Sequence, residues 1–189
     1  MTLDAQSERT SSRRVRNLTT AALLAALTAA LGPLSIPVEP VPVTFQTFCV
    51  ALAAMLLPPG WAAASMALYV ALGAAGLPVF SKGAAGLAVV VGPTGGYLVG
   101  FIVAAGVASA MRHGLRKTGA KSLVADIGAG LVLLAIVYGM GTAWLAYSLH
   151  LPLVQAATLG VAPFVIGDII KIGVAIGIAR AVRKALGTE

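Results

Sequence analysis

The stretch PFVIGDIIK, residues 163–171, opens the last apolar segment of the chain and carries two charges inside it. Asp168 and Lys171 stand three residues apart, and residues at that spacing share one face of a helix. With a rise of about 1.5 Å per residue, a helix that begins near Pro163 places them roughly 8 and 12 Å below its first turn. If the segment lies in a membrane, each charge costs about 2.5–3.5 kcal/mol there, which indicates a function. The pair is either part of a ligand site or an ion pair that only fixes helix packing.

The composition is that of a membrane protein. Of the 189 residues, 59% are hydrophobic and 10% are charged, and the mean hydropathy is +0.95. A soluble domain of this size carries about 25% charged residues. The length suits one compact bundle and leaves no room for a separate soluble domain.

The net charge of +7 is concentrated in three basic clusters at the ends of apolar segments. Under the positive-inside rule, such clusters are cytoplasmic. They lack the stacking aromatics of a nucleic-acid-binding face, so we expect no nucleic-acid partner. Asp126 follows the second cluster in the first turn of an apolar segment, where a negative charge suits the helix dipole. The clusters are Arg9, Arg13, Arg14 and Arg16; Arg112, Arg116, Lys117 and Lys121; and Arg180, Arg183 and Lys184.

Six apolar segments can be traced along the chain. Because the basic clusters belong on one side, an even number of spans must separate neighbouring clusters, and six spans satisfy this condition. We therefore predict an all-α membrane protein, with residues 1–17 as a disordered cytoplasmic tail and residues 18–186 as a bundle of six transmembrane helices with both termini cytoplasmic. Residues 44–57 are short enough to be re-entrant, but that count would put a basic cluster outside. The segments are residues 18–31, 44–57, 61–76, 87–111, 123–149 and the one that begins near residue 163.

Two irregular loops lie on the outer side in this topology, as does the start of the Asp168 helix. The first loop, residues 33–43, has four prolines in eleven residues and cannot be helical. The second loop is LPVFSKGAAG, residues 77–86. The charges of these loops, Glu39 and Lys82, either cover a site that opens outward or are simply solvated.

Polar side chains near these loops complete a candidate site for a small ligand. An anion, a cation, an amide and hydroxyl groups together suit a ligand that has N–H donors and a carboxylate. Thr44 could equally be a helix cap, and Tyr97 an aromatic at the membrane interface. The polar candidates are Asp168, Lys171, Thr44, Gln46, Thr94 and Tyr97, and the candidates for an apolar wall are Phe45, Phe80 and Trp144.

The sequence predicts neither an enzyme nor a metalloprotein. It has no Ser/His/Asp, Cys/His or paired-carboxylate arrangement of the kind that catalysis requires. Cys49 is the only cysteine, which excludes a disulfide within the chain and a cysteine metal site. We expect Cys49 to be a small buried hydrophobe.

The first apolar segment carries two stripes of alanines spaced four residues apart. Small residues at this spacing allow two helices to approach closely in lipid. The stripes therefore indicate either contact with another chain or packing within this one. They consist of Ala21, Ala25 and Ala29, and of Ala22, Ala26 and Ala30.

Four sequence blocks resemble the BioY family, the biotin-binding S components of energy-coupling-factor (ECF) vitamin transporters. In chain order they are VPVTFQTF (41–48), LGAAGLPVF (72–80), GPTGGYLVGF (92–101) and PFVIGDIIK (163–171). The resemblance covers nearly the whole chain apart from the N-terminal tail. It implies a six-helix bundle in the bacterial cytoplasmic membrane, with both termini cytoplasmic and a biotin pocket that opens outward.

The resemblance also implies roles for individual residues and partners. Asp168 and Lys171 would be the polar anchors for biotin, Tyr97, Phe80, Ser81 and Lys82 would be further contacts, and the alanine stripes would meet the coupling protein. The partners would be biotin, a membrane coupling protein, two ATPase subunits and membrane lipid, with no cofactor. The alternatives are an S component for another vitamin, a slow biotin carrier that acts alone, and a structural membrane protein that transports nothing.

Overall fold

The N-terminal helix is longer than we predicted. The computed structural model describes residues 2–36 and 40–187, and within these ranges the side chains from residue 11 onward. Helix α1 runs without a break over Thr2–Leu31, so the prediction of a disordered tail over residues 1–17 was wrong for the described part. The reason is that no glycine or proline occurs before Gly32, and the helix continues beyond its apolar part.

The proline-rich loop forms a short hairpin. Strand β1 (Ser35–Ile36) pairs antiparallel with β2 (Val43–Thr44), and Ser35 lies opposite Thr44. The described residues of the range 33–43 are therefore not helical, as predicted. Glu39, which we predicted as an outer charge, lies outside the described residues. The hairpin positions Thr44 directly before the next helix.

Helix α2 (Gln46–Leu56) is the centre of the bundle. Nine of its eleven residues are buried, among them Cys49, as predicted. Helices α1, α3, α5 and α8 all pack against it. A turn at Pro58 leads into α3 (Pro59–Ala74), where a proline suits the first turn because its missing N–H is not needed there.

The glycine-rich segment is broken, although we predicted one span over residues 87–111. Helix α4 (Leu87–Val91) ends at Gly92, which is extended, and α5 begins again at Gly95 and continues to Lys117. Pro93 explains the break, because proline disfavours a helical conformation in the residue before it and donates no hydrogen bond. The loop that precedes α4, residues 77–86, is irregular as predicted and contains one 3₁₀ turn at Ser81–Gly83.

The last three helices complete the bundle. They are α6 (Ser122–Leu149), α7 (Leu153–Gly160) and α8 (Val165–Ala185), with a bend of 52° between α7 and α8. Among the described residues, α5 and α6 are each long and apolar enough to cross a membrane, and α7 with α8 makes a third such element if it is one span. Ile166, Ile169 and Ile170 on α8 are exposed, as expected of a surface in contact with lipid.

A buried ion cluster joins the ends of three helices. Asp126 is 0% exposed, and its carboxylate accepts hydrogen bonds from Arg112 Nε (2.6 Å) and Arg183 Nη2 (2.5 Å). Arg183 Nη1 also donates to the carbonyl of Met55, at the end of α2 (3.1 Å). We had predicted Asp126 in the first turn of its helix, but it lies just beyond that turn and pairs with two arginines. It links α5, α6 and α8 because two arginines from the predicted basic clusters turn inward.

Candidate ligand site

A cavity of about 190 Å³ lies between the hairpin, the loop before α4, and helices α5, α6 and α8. It brings together all the polar side chains that we predicted to contact a ligand, together with Phe80. Most of its remaining wall is apolar, which suits a small molecule with a few polar groups. The predicted residues that line it are Thr44, Gln46, Phe80, Ser81, Lys82, Thr94, Tyr97, Asp168 and Lys171.

The Asp168–Lys171 pair forms part of the cavity wall. Lys171 Nζ donates to Asp168 Oδ1 (2.8 Å) and to the backbone carbonyl of Thr44 (2.7 Å). Asp168 is only 4% exposed, so its charge is held in a largely dry environment. The bond to Thr44 attaches α8 to the hairpin, and the ring of Phe45 lies 6.0 Å from the ammonium group. The pair is thus fixed in position before a ligand arrives.

Tyr138 is a site residue that the sequence analysis missed. Its hydroxyl donates to Asp168 Oδ2 (2.8 Å), and its side chain lines the cavity from α6. Both carboxylate oxygens of Asp168 therefore have a donor, one from Lys171 and one from Tyr138. A hydroxyl in the middle of an otherwise apolar span was the one available signal, because a buried polar group needs a partner.

Tyr97 lines the cavity and is held in place by a hydrogen bond and by close packing. Its hydroxyl donates to the carbonyl of Gly160 (2.9 Å), and the side chain is buried. The ring lies against Gly141, and a β-carbon at Gly141 or Gly160 would collide with it. Tyr97 therefore packs inside the bundle, and the alternative of an exposed interface aromatic does not apply.

Both the oxygen and the nitrogen of the Gln46 side-chain amide have hydrogen-bond partners. Thr44 Oγ1 donates to Gln46 Oε1 (2.8 Å) and accepts from the Gln46 backbone N–H (3.3 Å). Gln46 Nε2 donates to the hydroxyl of Tyr69, which in turn donates to the carbonyl of Val79 (3.2 Å). These bonds connect the hairpin, α3 and the loop before α4, so Thr44 supports the start of α2 as well as lining the cavity.

The loop before α4 forms one side of the cavity. Lys82 has a left-handed backbone (φ 59°), and its N–H donates to Ser35 Oγ in the hairpin (3.2 Å). Phe80 is buried and packs edge-to-face on Tyr69, with ring centroids 5.7 Å apart. The loop and the hairpin are therefore attached to each other above the site.

Two of the predicted aromatic neighbours lie elsewhere. Trp144 lines a separate apolar groove on the α5–α6 surface, where its Nε1 donates to the carbonyl of Gly92 (2.8 Å). Phe45 is half exposed and touches the site only through Lys171. The apolar wall is made instead by Val41, Val89, Leu98, Phe101, Val137 and Phe164, together with Phe80.

The fold and the cavity together define a class of protein: a helical membrane protein with a partly enclosed site for a small polar solute. A comparison with protein families identifies it further. The model of the BioY family matches residues 5–188, and the chain belongs to that family.

Individual relatives and a solved structure agree with this assignment. The biotin transporter BioY of Thermotoga maritima is 39% identical over 170 residues, which cover 90% of this chain and 97% of the relative. The biotin transporter BioY2 of Lactococcus lactis is 39% identical over 158 residues, covering 84% of this chain and 85% of the relative. A crystal structure of the S-component for biotin from an ECF-type ABC transporter matches with a TM-score of 0.81 and 29% identity, covering 92% of this chain and 93% of that one.

Proposed function

We propose that this protein captures biotin and takes it up across the bacterial cytoplasmic membrane, as the substrate-binding subunit of an ECF-type transporter. The observation that carries the proposal is the Asp168–Lys171 ion pair in the wall of a cavity that all the predicted polar contact residues line. Membership of the BioY family and relatives named as biotin transporters support it. The protein transports its ligand and does not transform it.

The charges of the cavity suit biotin. Asp168 contributes a negative charge, and Lys171 and Lys82 contribute a positive charge each, so the lining has a net charge of +1. A monoanion such as biotin neutralises that charge on binding. The carboxylate of Asp168 suits the ureido N–H groups, and a lysine suits the valerate carboxylate.

The direct test is a titration of the detergent-purified protein with biotin, thiamine and riboflavin. We expect saturable binding of biotin at one site and no binding of the other two vitamins. Preference for thiamine or riboflavin would assign the protein to another vitamin. Binding of none of the three would favour a structural protein in which the Asp168–Lys171 pair only fixes helix packing.

A second prediction concerns the valerate end of the ligand. If Lys171 or Lys82 holds the carboxylate, biotinamide binds about tenfold to a hundredfold more weakly than biotin, because one charge-assisted hydrogen bond is lost. Competition of biotinamide against labelled biotin measures the ratio. Equal affinity would mean that the carboxylate points into water, and it would remove both lysines from that role.

We propose that the chain crosses the membrane six times, through α1, α2, α3, α5, α6 and α8, with both termini in the cytoplasm. The short helices α4 and α7 then precede α5 and α8 on the outer side, next to the cavity. This arrangement leaves the three basic clusters on the cytoplasmic side, as the positive-inside rule requires. The exposed arginines of α1, which include Arg13, Arg14 and Arg16, support it.

We further propose that an exposed alanine stripe on α1 meets the membrane coupling protein, which joins two ATPase subunits to the complex. The two predicted stripes differ in the structure. Ala21 and Ala25 are buried, and Ser65 Oγ donates to the carbonyl of Ala21 (2.8 Å), so this stripe packs on α3. Ala22, Ala26 and Ala30 are exposed, and Ala29 is intermediate. The Ala22–Ala26–Ala30 stripe thus offers a smooth surface to a partner helix.

Substitution of Ala26 tests this interface. We expect Ala26→Trp to abolish co-purification with a tagged coupling protein, because the indole prevents close approach of the two helices. Biotin binding by the isolated subunit is expected to stay unchanged. Leu131→Trp, at an exposed position of α6, is the matched control and should co-purify normally. Normal co-purification of Ala26→Trp would place the interface elsewhere.

A further inference from the structure

Tyr138 occupies an unusual position in the site, because it contacts the anion of an ion pair that already has its cation. Its hydroxyl donates to Asp168 Oδ2 (2.8 Å), while Lys171 holds Oδ1 (2.8 Å). The two donors come from different helices, α6 and α8. The side chain of Tyr138 is half-buried and lines the cavity. Both oxygens of the Asp168 carboxylate are therefore held by hydrogen bonds before a ligand binds.

These contacts limit what the carboxylate can accept. An ionised carboxylate has about four lone-pair sites, so each oxygen of Asp168 can take one more hydrogen bond. A neutral N–H donor of a ligand needs only one such remaining acceptor site. A cationic group would need further compensation by negative charge, and Lys171 lies close enough to repel it. Lys171 cannot easily move away, because it also donates to the carbonyl of Thr44 (2.7 Å).

We propose that Tyr138 is a positioning residue that sets the specificity of the site for a neutral N–H donor over a cationic one. It does so by holding Asp168 Oδ2 and by compensating part of its charge. The inference rests on the proposed function, in which Asp168 accepts from the ureido group of biotin. Without the hydroxyl, the charge of the Asp168 carboxylate is less screened at Oδ2, so it attracts a cation more strongly.

The test compares biotin with 2-iminobiotin, in which a guanidinium group replaces the ureido group. Both ligands are titrated against the detergent-purified wild type, Tyr138→Phe and Tyr147→Phe. Tyr147 lies on the same helix and is 73% exposed, so its variant is the matched control. For Tyr138→Phe we expect biotin affinity to fall about tenfold to a hundredfold, since a hydrogen bond to a charged group is lost. Affinity for 2-iminobiotin should fall much less or rise, so the ratio of the two affinities should change by about tenfold.

Three results would overturn the inference: unchanged biotin affinity in Tyr138→Phe, an equal loss for both ligands, or the same change of ratio in Tyr147→Phe. An equal loss would show that Tyr138 only supports the packing of the site. If Tyr138→Phe does not purify as a monodisperse protein, Tyr138→Met removes the same donor and should give the same change of ratio. Failure of the wild type to bind biotin would instead refute the proposed function.

Discussion

Lys171→Ala is expected to lose measurable biotin binding while the protein still inserts and purifies. The substitution removes the cation that holds Asp168 Oδ1, and with it the bond from α8 to the carbonyl of Thr44. Asp168 is then left buried with the hydroxyl of Tyr138 as its remaining described donor. Removing one partner of a buried charge pair at a binding site typically costs about 2–5 kcal/mol, or about 30-fold to 5,000-fold in Kd. The helix itself becomes more apolar, so membrane insertion should not suffer.

Equilibrium titration of the purified variant with biotin measures this loss. The matched control is Lys184→Ala, which removes an exposed lysine from the same helix and should bind as the wild type does. Lys171→Met separates charge from size, because it keeps most of the side-chain volume and should lose binding as well. Binding of full affinity by Lys171→Ala would reduce the ion pair to a role in helix packing.

The candidate site was largely predictable because its main residues are polar exceptions in an apolar chain. Asp168 and Lys171 carry charge within the last apolar segment, and the prolines of residues 33–43 mark a loop that cannot be helical. Tyr138 does not stand out from its apolar neighbours in this way. In the run LVLLAIVYGMG, a tyrosine looks like one more large apolar residue, and only the folded chain shows where its hydroxyl points.

The helix boundaries were predicted less accurately than the site residues. Pro93 in residues 87–111 was visible as a helix breaker, but the length and hydropathy of that segment favoured a single span. In α1, the polar first residues suggested a tail, although they lack any residue that ends a helix. A continuous helix over Thr2–Leu31 is set by the absence of glycine and proline, and hydropathy alone does not report it.

The role of Asp126 could not be predicted, because it depends on partners that are distant in sequence. Arg112 lies 14 residues before it and Arg183 lies 57 residues after it. Each of these three charges has a plausible explanation by itself, as a helix-dipole charge or as a cytoplasmic anchor. Only the packing of α5, α6 and α8 brings them into one buried cluster.

Substitution of Asp126 is expected to destabilise the whole bundle. Asp126→Ala leaves Arg112 and Arg183 buried without the carboxylate that both contact, and breaking a buried ion pair in this way costs about 3–5 kcal/mol. For a chain of this size that corresponds to a melting temperature about 6–20 °C lower. Thermal unfolding of the detergent-purified protein measures the change, and Lys117→Ala, an exposed lysine on α5, should leave the melting temperature unchanged.

Replacing the whole cluster tests why the melting temperature of Asp126→Ala falls. It distinguishes the effect of two unpaired buried arginines from a general disturbance of the core. The combination Arg112→Met, Asp126→Leu and Arg183→Met removes all three charges of this cluster, and replacing a buried ion cluster by apolar side chains is often neutral or stabilising. We therefore expect it to recover most of the lost melting temperature. At temperatures well below the melting temperature, both variants should still bind biotin, because Asp126 lies about 18 Å along α6 from Tyr138. A wild-type melting temperature for Asp126→Ala would show that the cluster does not hold α5, α6 and α8 together. No recovery in the combined variant would show that the arginines stabilise the bundle independently of Asp126.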